Sequence, residues 1–490
     1  MYRKSKTIME LINILRNIKY TGNPDARNIT NITHDSRKVK EGTLFIAISG
    51  EKNDGHDFIF DAIKKGATAI VANGRAPLTD IVPIIQVNNP RKIMSKIAAN
   101  FYNNPSKTLK IIGITGTNGK TTTTQIIDYI LKDNNLLSSS LGTLGFNSPS
   151  GIISTGFTTP ESIELQQILK TIKDGGINYV PMEISSHAIE MHRVDDLAVD
   201  IGVFTNLGLD HLDFHKTKEQ YFQSKLKLFK NLSSNSTAII NSDDSYSNKI
   251  IKSIDCDYLT YGFNNHSDLS ILEYKIDFNS SFAKIKYKNK LYKINSNLIG
   301  KFNLYNIAAA TLACLKAGIN INHIIPSIEK INNVEGRLEK YQIQKQNSVA
   351  IVDYAHSPDA FENIFKCINE FKKSKKVITV FGCGGDRDKL KRPIMGKIAE
   401  KNSDFIYITA DNPRFENQDD IINDITSGMI DCKHKVIINR KNAIKTALKE
   451  SDSIILILGK GIENYQLIRD VRKRHSDINI VETYINENNN

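Results

Sequence analysis

The chain has 490 residues, of which 40% are hydrophobic and 24% charged, with a formal net charge of +12. That length suggests about three domains, and the composition fits a globular protein able to bury cores. No run of about 18 apolar residues occurs, which excludes a spanning helix.

The first residues, Met1-Tyr2-Arg3-Lys4-Ser5-Lys6, are basic, and the following Ile8-Met9-Glu10-Leu11-Ile12 is too short and too charged for a signal peptide. The expected compartment is the cytoplasm. Lysines are spread along the whole chain, and clusters such as Lys372-Lys373-Ser374-Lys375-Lys376 read as solvated faces. The positive balance permits nucleic-acid binding but suits an anionic small molecule equally well. Cys256, Cys314, Cys367, Cys383 and Cys432 are widely spaced without a CxxC pair, which supports reduced thiols rather than a zinc site or disulfide framework.

In chain order, residues 43–48 and 67–71 read as strands around a helix at 58–65. The polar break Asn103-Asn104-Pro105-Ser106-Lys107 is a candidate boundary. Apolar strand-like runs at 110–114, 179–184, 201–205 and 237–240 then alternate with helical stretches, implying a parallel α/β sheet. A second boundary falls at 332–337, and further strands follow at 349–352, 377–381, 405–408 and 454–458. The asparagine-rich end, 486–490, is expected to be disordered. The reading is therefore α/β with three domains: a small α/β domain at 1–106, a central P-loop parallel-sheet domain at 107–334, and a Rossmann-like domain at 335–490.

The most specific local signal is Thr115-Gly116-Thr117-Asn118-Gly119-Lys120-Thr121-Thr122, directly after an apolar strand and opening a helix. Glycines let backbone N–H groups close on phosphate, and a helix N-terminus adds its positive end. Lys120 can reach terminal phosphates and Thr121 can ligate Mg²⁺. The strict pattern would place glycine where Ile114 stands, so this is a shorter G-x-x-G-K-T form.

Ligands of open parallel sheets bind beyond the carboxyl ends of strands. Glu183, Ser185, Ser186 and His187 follow one strand, and Thr205, Asn206, Asp210, His211, Asp213 and His215 follow another. A carboxylate with imidazoles beside phosphates suits Mg²⁺, while ordinary loop polarity and helix capping by Asp210 and Thr217 are the alternative. Residues 221–229 have a helical pattern that puts Tyr221 and Lys225 on one face, and pattern alone makes Lys225 a surface lysine. In the last third, polar loops follow four strands: Asp353 to Pro358, Gly382 to Asp388, Asp411 to Arg414, and Gly459 to Glu463. Each alone reads as a turn; together they suggest one lip of a ligand cleft.

From about residue 31 to 470 the chain resembles the Mur ligases. The resemblance is carried by Asp35-Ser36-Arg37, 115–122, Thr158-Thr159-Pro160, 183–187, 205–215, 300–306, 334–337, 353–358, 382–393, 411–414 and 459–466. It implies an ATP-dependent amide ligase of cytoplasmic peptidoglycan precursor synthesis, adding the third residue of the stem to UDP-N-acetylmuramoyl-L-alanyl-D-glutamate through an acyl phosphate. Implied cofactors are ATP and Mg²⁺; no nucleic-acid or membrane partner is implied, and a monomer is expected. Lys120, Lys225 and His211 would be catalytic. Gly116, Thr117, Asn118, Gly119, Lys120, Thr121, Thr122, Asn303, Asn306, Arg337 and Asp353 would bind ATP.

Ser36 and Arg37, with Asp54-Gly55-His56 nearby, would meet the uridine diphosphate, and Thr158, Thr159, Ser185 and Arg193 the muramoyl-dipeptide. Mg²⁺ would lie on Thr121, Glu183, His211 and Lys225, the last as a carbamate, which reverses the surface reading of that residue. Arg387, Asp411, Asn412, Arg414, Gly459 and Glu463 would bind the incoming amino acid, which the Asp411-Asn412-Pro413-Arg414 form implies is meso-diaminopimelate. Arg414 can grip a distal carboxylate that lysine lacks. Ile462 stands where such members usually carry histidine and Met191 where some carry glutamine, so L-lysine or L-ornithine remains an alternative. More distant alternatives are a folylpolyglutamate-type ligase, another Mur ligase, or a P-loop NTPase stimulated by nucleic acid.

Overall fold

The computed structural model describes residues 7–488 except 51–52, 78, 149–150, 154, 209 and 431–432, and within that span the side chains of 147, 148, 152, 212 and 213 are also outside the description. Cys432, the side chain of Asp213 and residues 489–490 therefore lie outside the described residues.

Three main sheets follow one another along the chain. The first has four parallel strands in the order Asn31–Thr33, Thr43–Ile46, Ala67–Ala72, Ile84–Gln86. Leu44, Ile46, Ala69 and Val71 point from it into a core shared with Met94, Ile97, Ala98 and Phe101 of the helix Pro90–Phe101. That helix starts where Asn89 accepts from the Lys92 N–H and Pro90 takes the first helical position, which needs no donor.

The second sheet has eleven strands. Its middle is parallel: Tyr179–Glu183, Lys110–Thr115, Ile201–Phe204, Thr237–Asn241 and Asp257–Gly262 lie side by side. Ile111, Ile112 and Ile114 are fully buried, as expected of a strand covered on both faces. The expected parallel sheet is thus present but is extended on both sides. Short strands at Leu141–Gly142, Gly145–Ser148 and Gly151–Ile153 add one edge, and an antiparallel meander, Leu269–Ile276, Ser281–Tyr287 and Lys290–Ser296, adds the other. The helix Lys301–Lys316 packs over it, and its small residues Ala308, Ala309, Ala310 and Ala313 are buried in the same core as Ile126, Ile127 and Ile130 of the helix Lys120–Asp133.

The third sheet has six strands in the order Glu339–Ile343, Ser348–Asp353, Ser453–Leu458, Lys376–Phe381, Phe405–Ile408, His434–Val436, antiparallel only at the first pair. The last helix, Asp477–Asn488, corrects the expectation of disorder for residues 486–488. Its Ile480, Val481 and Tyr484 are buried against that sheet, and tertiary packing outweighs the low helix propensity of asparagine. Cys256, Cys314, Cys367 and Cys383 are buried free thiols.

Candidate active site

The turn after Lys110–Thr115 is built on two glycines in backbone conformations that strain any other residue. Gly116 has φ +152°, and a Cβ there would stand 1.9 Å from Thr205 Oγ1; Gly119 has φ +87°, and its Cβ would stand 2.4 Å from Asn306 Oδ1. The loop is pinned from the neighbouring strand end, with the Asn118 N–H donating to Asn206 Oδ1 at 3.0 Å and Thr205 Oγ1 donating to the Asn118 carbonyl at 2.6 Å.

Lys120 opens the helix and folds back, its Nζ donating to the carbonyls of Gly116 and Thr117, each at 2.9 Å. Lys225, on the helix Lys218–Lys230, donates to the same Gly116 carbonyl at 2.9 Å and lies 4.2 Å from the centre of the Tyr221 ring. Lys225 is 1% exposed, which corrects the surface reading: the shared face with Tyr221 is real, but it points inward. Burial, reinforced by Lys120, pushes the Lys225 amine well below the ordinary lysine range. Burial also lowers Lys120, while Glu183 and Asp210 oppose it.

Glu183 is 1% exposed at the end of its strand. Its Oε2 accepts from Thr121 Oγ1 at 3.0 Å and Thr143 Oγ1 at 3.2 Å, and its Oε1 accepts from the Thr143 N–H at 2.7 Å. Gly142 leaves room for this carboxylate, since a Cβ there would meet Oε1 at 2.2 Å. Thr143 escaped the sequence reading because it sits in a short edge hairpin without a motif.

His211 has φ +55° and an imidazole pushed down to about 3, chiefly by burial, with Asp210 opposing. It stacks edge-on with His187 at 4.7 Å, so a neutral ring is presented, as metal ligation requires. His215 is placed differently: its Nε2 is 2.9 Å from Ser186 Oγ in a buried pair, a packing role rather than a ligand role. Asp210 accepts from the His211 N–H, and Thr217 caps the helix of Lys225 by accepting from the Gln220 N–H.

A cavity of about 420 Å³ opens beside the loop, lined by Asn118, Gly119 and Thr122, by Asn303 and Asn306, and by Arg337, Asp353, Tyr354 and His356. The central and third sheets thus contribute to one chamber. Asn306 Nδ2 donates to Asn303 Oδ1 at 2.9 Å, which fixes both amides. Burial raises the Asp353 carboxyl, whose oxygens accept from the N–H groups of Leu338 and Ala355. Arg337 donates to Thr121 Oγ1 at 2.9 Å and lies 4.8 Å from the Tyr354 ring centre.

The dipeptide candidates gather on another side. Thr158 Oγ1 is 3.2 Å from Thr143 Oγ1. Thr159 Oγ1 donates to the Glu183 carbonyl at 2.9 Å and accepts from the Ser185 N–H at 3.1 Å; Ser185 in turn caps the helix Ser186–Glu190. Arg193 donates to the Thr159 carbonyl at 3.0 Å and pairs with Glu161 at 2.7 Å. Glu161 was not singled out by sequence; it also faces Arg91 at 3.9 Å, tying the first sheet's helix to this region. Ser36 and Arg37 form a turn whose Asp35 cap also binds the exposed Arg37 guanidinium in a fork, at 2.9 Å to each oxygen. The Arg37 bonds hold the Asp35 carboxyl down at about 2. Neither Ser36 nor Arg37 lines the cavity.

The amino-acid candidates meet where three loops converge. Asn412 Nδ2 donates to Glu463 Oε2 at 2.9 Å. Gly459 is needed beside Asp411, whose Oδ2 would be 2.9 Å from a Cβ there. Arg414, at φ +50°, donates to the Gly385 carbonyl at 2.6 Å. Burial lowers Arg414, and the nearby Arg387 guanidinium adds to the shift. The buried Arg392, missed by sequence, links the Gly384 carbonyl at 3.0 Å to Glu416 at 2.9 Å and Asp424 at 2.8 Å, bracing these loops. Ile462 packs on Gly336 beside the segment that carries Arg337, where a glycine Cβ would stand 2.5 Å from Ile462 Cγ2. Met191 ends the helix Ser186–Glu190.

Comparison with known proteins decides the family. Residues 28–102 match the Mur ligase family catalytic domain, 114–314 the Mur ligase middle domain and 336–461 the Mur ligase glutamate ligase domain. The chain belongs to the Mur ligase family. Mur ligases are ATP-dependent ligases. Similar members include UDP-N-acetylmuramoyl-L-alanyl-D-glutamate--2,6-diaminopimelate ligase 1 of Clostridium acetobutylicum, 40% identical over 98% of this chain and 100% of that protein. The ligase of the same name from Aquifex aeolicus is 43% identical over 93% of both chains. A solved structure of a UDP-N-acetylmuramoyl-L-alanyl-D-glutamate--2,6-diaminopimelate ligase is similar with TM-score 0.69 and 28% identity, covering 98% of this Mur ligase and 99% of that chain. MurF ligase from Thermotoga maritima in complex with ADP shares the fold, with TM-score 0.65 at 20% identity over 93% of this chain and 98% of the other. Among the described residues no helix is long and apolar enough to cross a membrane.

Proposed function

We propose that the protein joins meso-diaminopimelate to UDP-N-acetylmuramoyl-L-alanyl-D-glutamate in an ATP-dependent reaction. Residues 1–106 would hold the UDP end, 107–334 ATP and the dipeptide, and 335–490 the incoming amino acid. The observation that carries the reading is the placement of Arg337. It touches Thr121 of the phosphate turn and the Tyr354 ring, and Tyr354 lies within electrostatic reach of Glu463 and Asp411. The loop that carries Gly459 and Glu463 packs against the same Tyr354, since a Cβ on Gly461 would stand 2.9 Å from Tyr354 Cβ, and this adjacency of nucleotide and amino-acid candidates supports the reading.

A carboxylate is a poor acyl donor, so the D-glutamyl γ-carboxylate oxygen first takes the γ-phosphoryl group of ATP, giving an acyl phosphate and ADP. The amine of the amino acid then attacks the acyl carbon, the C–O bond to phosphate breaks, and the amine loses a proton. Lys120 and the loop N–H groups neutralise charge on the transferring phosphoryl group. Thr159, Ser185 and Arg193 would orient the dipeptide, and Arg414 would grip the distal carboxylate of the incoming amino acid.

The donor set at Thr121 and Glu183 is oxygen-only and suits Mg²⁺. Thr121 and Glu183 would hold the ion, although among the described residues no cluster of three or more His, Cys, Asp or Glu side chains forms a ready cage. When bound, Mg²⁺ would supply charge neutralisation of the phosphates. Lys225 would act as a carbamate, formed when its buried amine adds to CO2 and loses a proton. Lys120 and Lys225 share the Gly116 carbonyl, so the carbamate would put an anion beside the Lys120 amine.

The test is isotopic. With the γ-carboxylate of the dipeptide carrying heavy oxygen, one labelled oxygen should appear in the released phosphate, together with a product of the condensed mass. Unlabelled phosphate would overturn the acyl-phosphate route.

A further inference from the structure

Lys460 is a fully buried lysine among the amino-acid candidates, and the reaction scheme gives it no task. Its Nζ lies 2.7 Å from Glu463 Oε2, 3.1 Å from Asn412 Oδ1 and 3.5 Å from Asp411 Oδ1. Asn412 Oδ1 also accepts from the Leu467 N–H at 2.8 Å, so the amide cannot turn. Glu463 Oε2 thereby receives two donors, Lys460 and Asn412 Nδ2, whereas among the described residues Oε1 receives none. The network immobilises the carboxylate and leaves one oxygen to offer.

The charges are also informative. Lys460, Arg414 and Arg387 stand against Asp411, Glu463 and Asp386, the last at the rim accepting from the Phe415 N–H. Among these six groups the charges cancel, three against three. A balanced pocket suits an end group that is itself balanced, an ammonium beside a carboxylate, better than a bare ammonium. Without the Lys460 cation the pocket would carry an excess negative charge and favour the bare cation.

We propose that Lys460 is a positioning residue that selects the zwitterionic end of the incoming amino acid, by fixing Asn412 and Glu463 and by cancelling the charge of the two carboxylates. The inference rests on the proposed amide-ligase reading. It predicts an order in the unaltered enzyme. Removing the distal amine leaves Glu463 still paired with Lys460, whereas removing the distal carboxylate leaves Arg414 without its partner, so 2-aminopimelate should outcompete L-lysine.

The experiment measures kcat and KM for meso-diaminopimelate, 2-aminopimelate and L-lysine, and KM for ATP, in the full-length enzyme and in Lys460→Met, which keeps length and apolar stem. The expected result is about a tenfold or larger rise in diaminopimelate KM and about a tenfold fall in the preference for diaminopimelate over lysine, with ATP KM within about threefold. General structural damage would instead lower kcat for all substrates and leave the preference unchanged, which would overturn the proposal. If Lys460→Met does not fold, the order in the unaltered enzyme decides alone: lysine ahead of 2-aminopimelate overturns the assignment. An unaltered enzyme that uses diaminopimelate while Lys460→Met keeps its KM and preference refutes Lys460 only. An unaltered enzyme that condenses none of the three refutes the ligase reading and the Lys460 role with it.

Discussion

The phosphate turn and the amino-acid pocket handle charge in opposite ways. At the turn, Lys120 and Lys225 rest on one backbone carbonyl, and Arg337 rests on the neutral hydroxyl of Thr121, so none of these three bonds ends on a carboxylate. In the pocket, Lys460 is already bound to Glu463 and Asn412, and Arg392 to Glu416 and Asp424. The turn keeps Lys120 and Arg337 off any carboxylate and so in reserve for an anion of high charge. The pocket cancels its charges internally and discriminates by the geometry of what is left. One region is built for strength and the other for choice.

The comparison breaks first at Lys120. Lys120→Ala should reduce kcat for phosphate release by about 10³-fold, because no other group replaces its charge at the transferring phosphoryl. Stopped assays at saturating ATP would check this, and a loss below about tenfold would mean that the turn is not the phosphoryl cradle.

Behind the pocket, Arg440 and Asp477 form a fully buried pair at 2.6 Å, and Arg440 also donates to the Leu458 carbonyl at 2.9 Å, just before Gly459. Asp477→Asn should lower stability by about 3 kcal/mol, since it strands a buried guanidinium. Burial works against the Asp477 carboxylate, but Arg440 and His475 more than offset it and hold its pKa below the ordinary value. A depressed carboxyl pKa gives stability that is full above about pH 4 and lost as pH falls further. Urea denaturation at neutral and acidic pH should therefore show the difference between Asp477→Asn and the unaltered protein shrinking toward the acid side.

Arg414→Ala should raise diaminopimelate KM by about 30-fold, the scale of a charge-assisted pair, while ATP KM stays fixed. An unchanged diaminopimelate KM would remove Arg414 from the pocket's role. The smallest effect is on the helix that carries Lys225. Thr217→Ala removes its N-cap and should cost about 1 kcal/mol in denaturant unfolding, with kcat nearly intact.

The two regions also differ in how far the sequence discloses them. Strand, turn and helix at 110–133 are contiguous, so the phosphate turn is readable from a dozen residues. The pocket is assembled from loops near 384, 412 and 460, which only the third sheet's order brings together. Individual loop residues such as Asp411 and Arg414 could be nominated, but the bonds of Lys460 and the bracing by Arg392 depend on tertiary placement. The burial of Lys225 is of the same kind, since a helical pattern gives its neighbours on the helix but not what packs over them. Thr143 was illegible because a short edge hairpin has no local signature, and the meander at 269–296 went unread although its central strand alternates buried and partly exposed residues.

The most direct test of the central claim is phosphate release from ATP with UDP-N-acetylmuramoyl-L-alanyl-D-glutamate and, in turn, meso-diaminopimelate, L-lysine and L-ornithine. The account predicts strong release with diaminopimelate and little with the other two. Equal or greater release with lysine or ornithine would contradict the assigned pocket, and no release with any of them would contradict the ligase.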